Sequence, residues 1–165
     1  METPQQTSKE YFRITSVIHM GLVLGVVIFG LVVSFFIADF QHPDMDSESA
    51  RIFVYLVPGI CILALFAAKL IFGNRLKSLM ELDDLKTKMT GYRECLIIRY
   101  LFLEGPALFA MVAVFLTGNI IYLIYAGVVL VLFILKRPTL KATVKDLALN
   151  QEEVAKLEDP DAIVA

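Results

Sequence analysis

A chain of 165 residues with 58% hydrophobic content and a mean hydropathy of +0.71 is too apolar for an ordinary soluble domain. Its formal charge of −2 is uninformative as a total, because in such a chain the position of each charge matters. No nucleophile–base set, P-loop, dinucleotide fingerprint or metalloprotease motif is present, so no catalytic residues, cofactor or metal site are expected.

The apolar residues gather in four blocks: Ile14 to Ile37, Ile52 to Phe72, Leu96 to Leu116 and Ile120 to Leu135. A helix needs roughly 20 residues to cross about 30 Å of hydrocarbon, so the first three span easily and the fourth with little tilt. Lipid offers backbone amides no partner, and the alternation of a barrel strand is absent, so the spans are predicted to be helices. The expected fold is all-α, a four-transmembrane-helix bundle over 14–135. A polar segment (1–13) precedes it and a helical tail (136–165) follows it.

Lys9 and Arg13 precede the first span, Arg75, Lys77, Lys86, Lys88 and Arg93 fill the second link, and Lys136, Arg137, Lys141, Lys145 and Lys156 follow the fourth span. Arg51 alone lies in a link on the other side. The positive-inside rule then places both termini and the middle link in the cytoplasm, and a bacterial inner membrane is the expected location. The basic residues are explained by topology and lipid phosphates without nucleic acid.

Residues 1–10 are polar, contain Pro4 and are expected to be disordered. The first block has no small-x-small cleavage site before Asp39 and reads as an uncleaved first span. Its Gly21 and Gly25 have the GxxxG spacing that permits close packing, either against a neighbouring helix of this chain or in a dimer. The outer link from Asp39 to Glu48 holds a D-x-D-x-E spacing and His42. It fails as a calcium loop because Ser49 stands at the sixth position and Tyr55 at the twelfth, and it reads as a solvated acidic loop.

In the outer half of the second block Pro58-Gly59 predicts a kink or a 3₁₀ adjustment. Beyond that block, Leu82, Leu85, Met89, Tyr92 and Leu96 recur at three-four spacing. They predict a cytoplasmic amphipathic helix lying on the bilayer or on the bundle, with a partner-binding coiled seam as the alternative and Gly91 as a point of break. Thr117-Gly118-Asn119 is short enough to force an antiparallel hairpin, with Gly118 left-handed and Asn119 capping. Pro138 ends the fourth helix, Thr139 opens a short amphipathic segment to Leu149, and Asn150 with Glu153 resembles a capping box. Asp161 to Ala165 is expected to fray. Cys61 lies mid-span and Cys95 at a span mouth, too far apart in depth for a disulfide.

Helices two and four also align without a gap, Tyr55-Leu56 over Tyr122-Leu123 and Lys69 over Lys136. Arg13 set on Arg93 places His19 over Arg99 and Gly25 over Gly105. A parallel internal repeat of two hairpins is one reading of this register.

Ionisable residues within the spans are expensive and must be explained. His19, Lys69 and Arg99 fall within about 5 to 8 Å of the cytoplasmic boundary, and Glu104 about 12 Å deep. Side chains lean toward the N-terminus of their helix, so Arg99 can reach the cytoplasm while Lys69 and Glu104 lean toward one another in depth. The expectation is that Lys69 and Glu104 meet inside the bundle, with Tyr100 one turn below as a donor. Glu104 beside the Gly105-Pro106 kink is either a proton or cation site or a protonated or paired structural residue. His19 reads as a packed neutral side chain. The expected function is a non-enzymatic accessory or scaffolding component of a membrane complex, in contact with the lipid bilayer and with a membrane-protein partner or another copy of itself. A small oligomeric proton-coupled transporter or channel using Glu104 is the alternative.

Overall fold

The computed structural model describes residues 5–39 and 47–165, and the side chains of all of these except 38–39 and 47–49. Among them every named element is a helix: α1 (Ser8–Asp39), α2 (Ser47–Met80), α3 (Leu85–Thr117), α4 (Ile121–Leu135), α5 (Leu140–Leu147) and α6 (Gln151–Glu158). The first three are long and apolar enough to cross a membrane, and α4 makes a fourth when counted with α5 across the break between them. The acidic stretch around His42 and the segment holding Pro4 fall largely outside the described residues.

The middle link differs from the sequence expectation. The stripe begins inside α3 and not in a separate helix: Met89, Tyr92 and Leu96 are fully buried, Leu85 opens the helix, and Leu82 is exposed in the link. Helix propagation is cheap once nucleated, and the three-four spacing runs without interruption into the apolar block, so one long helix forms in place of two. Only four residues, Glu81 to Asp84, separate α2 from α3. Asp84 caps α3, its Oδ2 accepting from the Thr87 amide at 2.9 Å and the Thr87 hydroxyl at 2.6 Å. Those two hydrogen bonds favour the ionised carboxylate and hold its pKa below the ordinary value.

Gly91 does not break the helix. A Cβ there would stand 2.5 Å from Leu79 Cδ2, so the glycine is where α2 and α3 come close. Pro58 and Pro106 likewise lie inside α2 and α3 without ending them. The two hairpins of the suggested repeat differ in one respect: the gapless register sets Pro138 over Ile71, where α2 continues unbroken.

Contacts divide the chain into two compact units, each built from separated stretches. The apolar unit comprises Gly21–Lys69 and Tyr100–Lys136. Its core holds Val26, Val33, Val57, Cys61, Met111, Tyr122, Ala126 and Val129 around a run of small residues on α3, Ala107, Ala110, Ala113 and Val114. Small side chains let helix backbones approach, the usual packing mode where lipid removes the hydrophobic drive between helices. Gly30 takes part, with Met111 Cε 3.0 Å from the position of a Cβ. The rings of Phe53 and Phe109 stack at 6.3 Å and those of Tyr100 and Phe133 tilt together at 5.5 Å. Gly118, at φ 68°, makes the tight turn from α3 to α4, and Asn119 Oδ1 accepts the Ile121 amide at 3.1 Å.

The polar unit comprises Met1–Met20, Leu70–Arg99 and Arg137–Ala165. Its core includes Tyr11, Met89, Tyr92, Leu96, Leu147, Leu157 and Val164. The tail helices start as the sequence predicts. Thr139 accepts the Ala142 amide at the head of α5, Ala148 closes that helix in the left-handed conformation, and Asn150 and Glu153 form a reciprocal capping box on α6.

The ends of the described chain overturn two expectations. Residues 5–10 and 161–165 are ordered against each other: Thr7 bridges Ile163 in antiparallel fashion, the Gln6 amide donates to Ala165 O at 2.7 Å, and the Val164 amide donates to Gln6 O at 2.9 Å. Val164 and Ala165 are buried. A short two-stranded pairing satisfies backbone groups that polar composition alone leaves to water.

Candidate functional site

The candidate residues are divided between the two units. His19 and Arg99 belong to the polar unit, whereas Lys69, Tyr100 and Glu104 belong to the apolar unit. His19 is buried, 2% exposed, consistent with a packed imidazole. The Arg99 guanidinium lies 4.0 Å from the Phe72 ring centroid, and its Nε is buried without a hydrogen bond. The guanidinium thus has a cation–π contact within the polar unit.

The expected pairing of Lys69 with Glu104 is absent. Lys69 is exposed and Glu104 half-buried, and among the described residues the ion pair that forms is Lys88–Glu153. Helix azimuth is the reason. Depth can be counted along a sequence, but which way a side chain faces around its helix is set by packing, and here α2 and α3 turn their inner faces to apolar partners such as Phe53 and Phe109. Tyr100 is fully buried against Phe133. Gly21 and Gly25 are not close-packing points among the described residues, since a Cβ at either would meet no atom within 4 Å.

The polar unit holds a set of contacts that local sequence patterns do not announce. Lys88 Nζ donates to Glu153 Oε1 at 2.8 Å, and both residues are buried. Burial pushes the Glu153 carboxyl up, but the Lys88 hydrogen bond, the Asn150 amide and the nearby lysine charges outweigh it, and its pKa ends below the ordinary 4.5. Tyr92 Oη donates to Asp146 Oδ2 at 2.9 Å. Tyr11 Oη donates to Met89 O at 2.8 Å, the Arg93 guanidinium stacks 4.4 Å over the Tyr11 ring, and Arg93 also donates to Gln6 Oε1. Ser8 Oγ donates to Leu157 O at 2.6 Å.

These contacts tie α3 to α1, α5 and α6 through charged and hydroxyl groups. The signal that could have found Lys88 is its place on the stripe beside Met89, which faces inward. Chemically the arrangement is a clamp: the ammonium, carboxylate and hydroxyl groups meet one another or the backbone, and these contacts set no nucleophile beside a base. Among the described residues no group of three or more His, Cys, Asp or Glu could hold a metal ion, and Cys61 and Cys95 are free and buried.

Two open apolar grooves lie within the apolar unit. One, of about 360 Å³, is lined by Pro58, Cys61, Ile62 and Leu65 of α2 and by Ile121, Ile124, Tyr125, Val128 and Val129 of α4. The other, of about 220 Å³, lies between Phe29, Val32, Val33 and Phe36 of α1 and Val112 and Phe115 of α3. Comparison with known proteins finds no matching family model, no similar characterised protein and no similar solved structure.

Proposed function

We propose that this chain is a small four-span membrane protein with both termini in the cytoplasm, and that it serves as a non-enzymatic accessory or scaffolding component of a membrane complex in a bacterial inner membrane. The observation that carries this reading is the make-up of the polar unit. Three separated stretches of chain are drawn into one module by a buried ion pair and side-chain hydrogen bonds, while exposed charges such as Lys77, Glu81, Lys141 and Lys156 are left for a partner to meet. A module so tightly cross-tied costs conformational entropy to order, and a presented, rigid binding surface is the use that matches it. The basic residues Arg75, Lys77, Arg137, Lys141 and Lys145 lie at least partly exposed, which suits a face toward anionic lipid and the cytoplasm.

A second reading, transport or conduction through an oligomer, has one observation in its favour: Glu104 is half-buried within a span and has no ion-pair partner among the described residues. Two measurements on the purified protein separate them. Recovery of a defined partner on pull-down, with no pH-driven flux in proteoliposomes, supports the accessory role. Flux that disappears in Glu104→Gln supports transport and sinks the accessory reading.

A further inference from the structure

We propose that Arg75 and Arg99 together hold the phosphate of an anionic phospholipid. The proposal deepens the lipid-facing reading of the basic residues and rests on it.

All the residues concerned belong to the polar unit. Two contacts set the register of α2 against α3: Leu79 closes on Gly91, and the Arg99 guanidinium lies 4.0 Å over the Phe72 ring. The two helices therefore run antiparallel here, and Arg75 stands level with Cys95. Side chains lean toward the N-terminus of their helix, so Arg75 leans toward the level of Phe72 and Arg99 toward the level of Cys95. The two guanidinium groups thus approach one depth from opposite directions. They also face the same side: the Cys95 thiol feels both charges, and Phe72, which carries Arg99 on its ring, is one turn from Arg75 on α2.

Two like charges so placed call for a counterion. Arg75 is exposed and Arg99 half-buried, and neither forms an ion pair among the described residues. Of the carboxylates that act on the same cluster, Asp146 accepts the Tyr92 hydroxyl on Oδ2 at 2.9 Å, and Glu94 is exposed beside Cys95. Arg99 Nε is buried without a hydrogen bond, so the fork is held by the ring beneath it and not by an acceptor.

The class of ligand follows from the donors and from their depth. A guanidinium fork matches phosphate oxygens bidentately, and two forks can grip one phosphate. On the four-span reading Arg99 falls within about 5 to 8 Å of the end of its span, close to where lipid phosphates lie. Basic pockets between helices at that level bind anionic headgroups. A zwitterionic headgroup would bring a cation of its own toward the two guanidiniums, so an anionic lipid is the better fit.

The test uses the full-length protein, delipidated in detergent and titrated with phosphatidylglycerol or phosphatidylcholine, with bound lipids counted by native mass spectrometry. One phosphatidylglycerol should bind about tenfold more tightly than phosphatidylcholine, and Arg75→Gln and Arg99→Gln should each weaken it by about tenfold. Lys77→Gln removes another exposed charge from α2 and should leave that affinity within about twofold. Equal weakening in Lys77→Gln would mean diffuse attraction to surface charge and overturn the site, as would equal affinity for the two lipids. Arg75 is exposed, so its variant decides if Arg99→Gln does not fold. Excess inorganic phosphate should leave the lipid in place, and displacement of the lipid would assign the seat to free phosphate and overturn the lipid assignment. Carbonate extraction of native membranes checks the underlying reading separately: release of the protein overturns membrane embedding, whereas retention without the lipid preference overturns this site alone.

Discussion

The two units use opposite means to hold the same helices. In the apolar unit small side chains and rings fill the core, the surface is Leu, Ile, Val and Phe, and charged residues are rare. In the polar unit Lys88, Glu153, Tyr92, Asp146, Arg93 and Ser8 bind elements far apart in sequence. The contrast shows where each kind of specificity is needed. Long apolar helices have little but shape to choose their neighbours by, whereas short helices such as α5 and α6 bury too little to hold themselves and depend on directed polar contacts.

Removing a ring from the apolar core should have the greatest effect. Phe133 is fully buried against Tyr100, and Phe133→Ala should destabilise the apolar unit by about 3–5 kcal/mol, read as unfolding in detergent by denaturant titration. A loss under about 1 kcal/mol would show that the ring is not packed as described.

The polar unit should respond to charge where the apolar unit does not. Glu153→Ala strands the Lys88 ammonium and removes half of the capping box, a loss of about 2 kcal/mol. The Lys88→Met/Glu153→Leu double variant should recover much of it. Because the folded Glu153 carboxyl titrates below the ordinary 4.5, its contribution is full above pH 4.5 and is lost as pH falls through its lowered folded value. Hydrogen exchange on α6 followed from pH 6 to 3 should report that loss, and Glu153→Gln should flatten the profile. An unchanged profile in the variant would assign the acid sensitivity elsewhere.

Smaller effects are expected at the glycines. Gly91→Ala must displace Leu79 and should cost about 1 kcal/mol. Gly25→Ala meets nothing and should leave the stability of a single copy within about 0.5 kcal/mol. Equal effects at the two positions would mean that α2 and α3 do not close on Gly91.

Features decided locally are legible along the chain. The apolar blocks, the Gly118 turn, the Thr139 cap and the Asn150–Glu153 box each depend on residues within a few positions of one another, and each is present. The helices that carry Lys69 and Glu104 are equally legible, but the facing of the two side chains depends on how α2 and α3 rotate against distant neighbours, which no short window contains. The same limit hides the pairing of Gln6 and Thr7 with 163–165 and the Lys88–Glu153 bond, where partners stand 65 residues apart. The middle link fails for a different reason. Its three-four stripe is plain in the sequence, but helix propensity marks Gly91 as a breaker, whereas its lack of a side chain serves a close contact with Leu79.

Whether the polar unit lies in the cytoplasm, carried by helices that cross the membrane, can be decided by labelling single cysteines with a membrane-impermeant maleimide. In a chain lacking Cys61 and Cys95, cysteines at Glu81 and Lys141 should react only from the cytoplasmic face, and one at Ser47 only from the outer face. Labelling of Glu81→Cys or Lys141→Cys from outside, or of all three from one side, would contradict that arrangement.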